Sequence, residues 1–368
     1  MSNNSTRRQW IRNTAAAVAA MSITPSVFAT EKERYRAAGI ILLNSNENAY
    51  GPSEATRKAM AEALGNSNRY PDEQIPVLKQ QIAEFWGVGK ENILMGAGSS
   101  EMLGLTSLIV SSTKGHIIIA DPSYRVWNSQ AEAFGLTFKR IPLAKDKTHD
   151  LGEMMSAIDA DTRMIYVCNP NNPVGTYVED HLLRAFVEEC SKRCMVLVDE
   201  AYTEFASLPS LKDIAVKNQN VVVAKTFSKI YGLAGARAGY AIAHPDTIKK
   251  LGNFQPWNDV SISVVTAAAA SAALKDQQFV KDCREKTKQA REMCYDCFKQ
   301  LSLDYIPSHT SFILFNIDKI GADFSQKMQA KNIFVQYREH FGGKWCRVSM
   351  GTLEEMKIFC SALKSITG

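Results

Sequence analysis

The chain has 368 residues, 45% of them apolar and 22% charged, with a net charge of +5. That length exceeds one small core and suits two domains sharing an interface, and the composition is that of a globular protein. The positive charge is not gathered into a basic stripe, which argues against a nucleic-acid partner. No apolar run reaches the roughly eighteen residues of a membrane span, so no mature transmembrane helix is expected.

The chain begins with a basic stretch, Ser5-Thr6-Arg7-Arg8-Gln9-Trp10-Ile11-Arg12, followed by an alanine-rich apolar run from Ala15 to Ile23. Pro25 and the small-residue pattern Val27-Phe28-Ala29 come next. This is the order of a secretory signal, and paired arginines before a bulky apolar residue resemble a twin-arginine signal, which addresses folded cargo. The expectation is a signal peptide over residues 1–29 and a periplasmic mature chain starting near Thr30. A basic N-terminal helix on a cytoplasmic protein is the alternative.

Residues 30–72 are loop-rich, with Asn44-Ser45-Asn46-Glu47-Asn48 and Gly51-Pro52, and are expected to form an arm and part of a smaller domain. Residues 73–260 are expected to form the large domain. Short β-branched runs alternate there with helical patterns: Ile93 to Met95, His116 to Ala120, Met164 to Cys168, Met195 to Val198, Val221 to Ala224 and Tyr240 to Ala243. Nearly continuous apolar runs of this length read as strands buried on both faces of a mostly parallel sheet, with helices such as Glu179 to Arg193 as crossovers. Polar and turn residues follow the strands directly, and that edge of an open α/β sheet is where ligands bind. Residues 261–368 are expected to form a smaller α+β domain. Long helical material over Val260 to Leu301 leads to a strand-like Ser311 to Ile317, a helix from Asp323 to Lys331, a strand-like Trp345 to Ser349 and a last helix from Leu353 to Ile366. Cys190/Cys194 and Cys294/Cys297 lie at helical spacings, but four ligands at zinc spacing are absent, so buried thiols rather than a metal site are expected.

Thr226-Phe227-Ser228-Lys229 follows a buried strand and places a lysine at the ligand edge. Alone, such a lysine reads as an exposed loop residue; desolvated among charges, it becomes a nucleophile for carbonyls. Gly232-Leu233-Ala234-Gly235-Ala236-Arg237 follows, and Arg237 offers a planar fork for a phosphate. Asp199 ends its strand, where a carboxylate either caps a helix or pairs with a protonated ring nitrogen. Asn172 lies in the turn Asn169-Pro170-Asn171-Asn172-Pro173, Tyr124 is an aromatic at another strand end, and Gly96-Ala97-Gly98-Ser99-Ser100 leads into a helix N-terminus suited to phosphate.

Leu43 to Asn48, Arg69-Tyr70-Pro71, the Asn-Asn-Pro turn, Asp199-Glu200-Ala201-Tyr202, Thr226 to Lys229 and the Gly-Leu-Ala-Gly-x-Arg-x-Gly run occur in this order. Together they resemble the fold-type I pyridoxal-phosphate aminotransferases, and within them the histidinol-phosphate aminotransferase group. The likeness runs from Leu43 to near the C-terminus. It implies an α/β fold with a large, mostly parallel sheet sandwiched by helices and a smaller α+β domain, and a homodimer acting on an amino acid and a 2-oxo acid with pyridoxal 5'-phosphate as cofactor. Lys229 is then the lysine that bonds the cofactor and shuttles the proton. Asp199 holds the ring nitrogen, Asn172 and Tyr202 meet the ring oxygen, and Tyr124 stacks on the ring. Ser99, Ser100, Thr226, Ser228 and Arg237 surround the phosphate, with Tyr70 reaching it from the partner subunit. Arg347, with Asn48 and Asn172 nearby, binds the substrate and clamps its α-carboxylate.

Two positions depart from the family pattern. Val174 replaces the usual threonine of the turn. Gln336 stands where histidinol-phosphate enzymes carry an arginine that helps bind the substrate's phosphate; Arg338 lies two residues on, on the same side of a strand. Both the missing charge and a periplasmic address argue against histidinol phosphate as substrate. A decarboxylase, cyclase or racemase on the same scaffold, or a non-catalytic cofactor-binding protein, are the other readings.

Overall fold

The computed structural model describes residues 38–367, and the expected signal segment lies outside them. Leu42 onward forms one unit; the few described residues up to Ile41 belong to a separate one.

The unit is built on a seven-stranded sheet. Its strands are β1 (Ile93–Gly96), β2 (Gly115–Asp121), β3 (Leu136–Pro142), β4 (Thr162–Cys168), β5 (Met195–Asp199), β6 (Val221–Thr226) and β7 (Gly239–Ile242), in the spatial order β1-β7-β6-β5-β4-β2-β3. Strands β2 to β6 run parallel, and β7 runs antiparallel to both β6 and β1. This is the α/β, mostly parallel sheet read from the sequence. Successive residues of a strand face opposite sides, so the β-branched runs feed two cores at once. Ile118, Ile165, Val196 and Val223 pack on one face with Leu183 and Phe186 of α2 (Asp180–Cys190). Ile117, Leu197 and Val222 pack on the other with Met102 and Leu103 of α1 (Ser99–Val110). Each such fully buried side chain contributes about 1.5–3 kcal/mol.

β3 is the strand the sequence reading lacks. It is an edge strand paired only with β2, and Thr137, Lys139 and Arg140 are exposed along it. A strand covered on one side carries charges on the other, and its apolar run is broken.

A second, antiparallel sheet has the order β10-β11-β9-β8, with β8 (Tyr305–Ile306), β9 (Phe312–Asn316), β10 (Gln336–His340) and β11 (Gly343–Ser349). The long helical stretch before it is two helices, α3 (Val264–Lys275) and α4 (Gln277–Gln300). They part at Asp276, whose carboxylate accepts a 3.1 Å hydrogen bond from the Phe279 N–H and caps α4. Phe298 of α4 stacks on Phe315 of β9 at 4.5 Å, and Phe359 of α5 (Leu353–Thr367) meets the same ring edge-on at 6.3 Å. All eight cysteines are buried free thiols, and among the described residues no helix is long and apolar enough to cross a membrane.

Candidate active site

Because β4, β5 and β6 are parallel and in register, their C-terminal ends deliver Cys168, Asp199 and Thr226 to one edge. A small cavity of about 120 Å³ opens there, walled by Asp199, Tyr202, Tyr124, Ser99, Ser228 and Lys229, among others. It adjoins a larger cavity of about 660 Å³ through the shared walls Tyr124, Asn172 and Lys229. Asn44, Asn46, Gln336, Arg338, His340 and Arg347 line the larger one.

Lys229 is held between the two. Burial lowers its pKa to about 8, with Arg347 acting in the same direction and Asp199 and Glu47 against it. Its ammonium lies 5.7 Å from the centre of the Tyr202 ring. Asp199 is 3% exposed, and burial pushes its carboxyl up to about 6. The Tyr166 hydroxyl donates to its Oδ2 at 2.9 Å and the Ala201 N–H to its Oδ1 at 3.2 Å. The Tyr202 hydroxyl accepts from Asn46 Nδ2 at 3.1 Å and from Asn172 Nδ2 at 3.3 Å, and burial raises its pKa.

The hydroxyl end of the small cavity gathers around Arg237. Thr226 Oγ1 donates to Ser228 Oγ at 2.9 Å, and Arg237 reaches Ser228 Oγ at 3.5 Å and the Ala97 carbonyl at 3.0 Å. Ser99 and Ser100 open α1 with their N–H groups unbonded within the helix. Gly98 makes this approach possible: at φ +85°, a β-carbon there would sit 2.6 Å from the Arg237 guanidinium. Tyr124 shares this wall through a side-chain hydrogen bond with Ser100, and its own burial raises its pKa.

At the other end, Arg347 is 8% exposed, and burial lowers its pKa to about 10. Its Nη1 donates to Asn172 Oδ1 at 2.8 Å and its Nη2 to the Asn44 carbonyl at 3.2 Å, and its buried Nε has no partner. Gln336 faces Arg347 across the β10–β11 pair, and its Oε1 is buried without a partner, as is Nε2 of His340. Arg338 forms no ion pair among the described residues; its Nη1 donates to the Tyr337 carbonyl at 3.0 Å.

The structure therefore brings together Lys229, Asp199, Tyr202, Asn172, Tyr124, Ser99, Ser100, Thr226, Ser228, Arg237 and Arg347. Asn48, expected near the substrate, lines neither cavity. Its Nδ2 donates to the Ile230 carbonyl at 2.7 Å and its Oδ1 accepts from the Tyr50 N–H at 2.9 Å, so its amide is spent on tying the arm. Asn46, two residues earlier, takes the place at the wall: its N–H donates to Ser349 Oγ at 2.8 Å while its amide holds Tyr202. The motif carried that signal, but the choice between its asparagines depends on the turn at Asn46, whose φ is +54°. Tyr70 lies away from both cavities, 67% exposed, with its ring 4.8 Å from that of the half-exposed Trp257.

A family model described as aminotransferase class I and II matches residues 38–363. A histidinol-phosphate aminotransferase of Caldicellulosiruptor saccharolyticus is 36% identical over 89% of this chain and 92% of its own. One of Moorella thermoacetica is 34% identical over 89% and 85%. The crystal structure of the Sinorhizobium meliloti histidinol-phosphate aminotransferase in complex with pyridoxal-5'-phosphate superposes with a TM-score of 0.83 at 27% identity, covering 94% of this chain and 97% of that one. With the match running over nearly every described residue, the chain belongs to the aminotransferase class I and II family.

Proposed function

We infer that the chain is a pyridoxal 5'-phosphate-dependent transaminase that moves an amino group from an amino acid to a 2-oxo acid. The observation that carries this is Lys229: a partly buried amine of lowered basicity, set between a cavity ending in Asp199 and a cavity ending in Arg347.

The residues present fit the cofactor. A buried carboxylate suits a protonated ring nitrogen, and the two donors on the Tyr202 hydroxyl leave its own proton free for a phenolic oxygen. Ser99, Ser100, Thr226, Ser228 and Arg237 form a cradle of hydroxyls, helix N–H groups and a guanidinium for a phosphate, and Gly98 keeps it open. When bound, pyridoxal phosphate supplies an electron sink that acidifies the substrate's α-hydrogen. Lys229 would hold the cofactor through its amine and, once released, would be the base placed to take the substrate's α-proton and give it back. Asp199 keeps the ring nitrogen protonated. Tyr124 would pack on the ring, and Arg347, whose fork is held by Asn172 and the Asn44 carbonyl and whose Nε is without a partner, would bind the α-carboxylate. Donor and acceptor use the same groups in turn, so ping-pong kinetics follow.

Substrate identity turns on β10. Gln336 opposite Arg347 carries no charge, which does not favour a phosphate at that position. Arg338 is one two-residue strand step further along the same face and is the uncompensated cation available to an anionic side group. The chain is further read as a homodimer in which Tyr70 reaches the partner's phosphate site; the exposure of the Tyr70–Trp257 pair supports this. A periplasmic location rests on the N-terminal sequence alone, and N-terminal sequencing of exported protein beginning near Thr30 tests it.

Half-transamination with a panel of amino acids tests the reaction. The expected result is loss of the visible cofactor band with formation of the matching 2-oxo acid. Carbon dioxide release without an oxo acid overturns it.

A further inference from the structure

Tyr166 sits in the middle of β4 and reads as one more apolar strand residue. It is 0% exposed, beneath the cavity rather than on its wall, with its ring 4.9 Å from that of Trp127. β4 and β5 are parallel, with Tyr166 beside Leu197 and Cys168 beside Asp199. Tyr166 is thus one two-residue step behind Asp199 on the neighbouring strand, and its hydroxyl reaches forward to Asp199 Oδ2 at 2.9 Å. The other carboxylate oxygen accepts the Ala201 N–H at 3.2 Å. Both oxygens are pinned from the protein side, and the carboxylate still borders the small cavity.

We propose that Tyr166 is a positioning residue for the cofactor's ring nitrogen: its hydroxyl fixes Asp199 as an anion with one edge turned to the cavity. This rests on the cofactor reading of Asp199. A carboxylate in this place has little water to lean on. Desolvation favours its neutral form, and donors that bond only the charged form oppose that. The neighbouring groups are few. Lys229 favours the anion; Glu200, Tyr202, Tyr124 and Cys168 add negative charge if they ionise, and burial holds the last three protonated. Tyr166 and the Ala201 N–H are the two donors bonded to the carboxylate among the described residues. Of these, only Tyr166 can be deleted without touching the backbone. Phenylalanine keeps its packing against Trp127 and removes the hydrogen bond to Asp199, along with the weaker one to the Cys168 thiol.

The experiment measures cofactor affinity of the full chain between pH 6 and pH 9, and the ¹⁵N resonance of bound, ring-labelled pyridoxal phosphate. Tyr166→Phe is expected to bind cofactor normally at high pH. Binding should weaken roughly ten- to a hundredfold toward pH 6, the range lost with one hydrogen bond to a charged group. At a given pH the ¹⁵N signal should lie closer to unprotonated pyridine than in the unaltered chain, because the less stabilised carboxylate takes a larger share of the proton it holds with the ring nitrogen. In an Asp199→Asn background, Tyr166→Phe should change neither quantity further. A Tyr166→Phe chain with the original pH dependence and ¹⁵N signal overturns the proposal, as does an effect of Tyr166→Phe that persists in the Asp199→Asn background. If Asp199→Asn alone leaves cofactor affinity and the ¹⁵N signal unmoved, the reading of Asp199 itself fails instead. Should Tyr166→Phe not fold, the unaltered chain still decides. A downfield hydroxyl proton assigned to a tyrosine, lost in Asp199→Asn, is expected, and its absence in the unaltered chain counts against the proposal.

Discussion

Two lysines four residues apart end the same stretch of chain, Lys225 fully buried and Lys229 partly, and their surroundings make them opposites. Lys225, near the end of β6, is 1% exposed. Its ammonium lies 2.7 Å from Glu204, 3.4 Å from Glu200 and 2.7 Å from the Thr203 hydroxyl, over the ring of Trp86. Burial works against its charge, but the two glutamates outweigh it and hold its pKa above the usual lysine value. Lys229, past the strand end, forms no ion pair among the described residues: burial lowers its pKa to about 8, Arg347 adds to the fall, and Asp199 and Glu47 only partly offset it. Burial works against the charge of both amines; at Lys225 two close glutamates reverse it, and at Lys229 no acid is near enough to do so. Lys225 is locked as a cation in the structure, and Lys229 is free to lose its proton.

The sharpest break of this comparison is Lys229→Ala. It should abolish the visible band of covalently held cofactor and cut turnover by roughly a thousandfold or more, as expected when the acid–base group goes. Absorbance and a single-turnover assay decide it, and a retained band would assign the chemistry elsewhere. Lys225→Met should act through stability instead, because it leaves the buried Glu200 and the half-buried Glu204 without their cation. A loss of about 3–5 kcal/mol is expected in denaturant unfolding, partly recovered when both glutamates are changed to glutamine. A Lys225→Met chain as stable as the original would show that the pair is not the anchor described.

Arg347→Ala should raise the KM of amino acids by about a hundredfold, the scale of a buried bidentate contact to a carboxylate. The same change removes a cation that disfavours ammonium at Lys229. The amine of the cofactor-free chain should therefore titrate above pH 8 rather than near it, and the pH at which it starts to capture pyridoxal phosphate should rise. An unmoved titration would mean that desolvation alone sets the value. The smallest effect is expected at Arg338→Gln: about tenfold in kcat/KM for amino acids with an anionic side chain, with alanine unaffected. Equal losses for both would make Arg338 a structural residue.

The cofactor end of this site was legible because its residues stand where strands stop. Asp199 and Thr226 each follow a run of buried β-branched residues, and parallel strands bring such ends to one edge. Chain position was then enough to predict neighbourhood. Where it was not enough, the missing information was lateral. Lys225 lies inside an apolar run, and nothing in the run announces that Glu200 and Glu204 will neutralise it from the next strand's end. Tyr166 likewise looks like packing until the register of β4 on β5 places its hydroxyl under Asp199. β3 failed for a different reason: at the sheet edge, Lys139 and Arg140 are free to face water, so the pattern that marks a buried strand is diluted. Asn46 and Asn48 could be ranked only after the turn between them was known.

The hydroxyl of Tyr202 is bonded by Asn46 and Asn172, and Asn46 in turn exchanges two hydrogen bonds with Ser349, 303 residues away. The wall of the site is thus closed by the first and nearly the last of its segments. During synthesis, the Lys229 region emerges long before β11 does, and until β11 docks neither Asn46 nor Arg347 has its place. A ribosome-bound chain ending before Ser349 has the cofactor-side residues from Ser99 to Arg237 but neither Arg347 nor the anchor of Asn46, so the substrate side of the site belongs to the finished chain and not to the growing one.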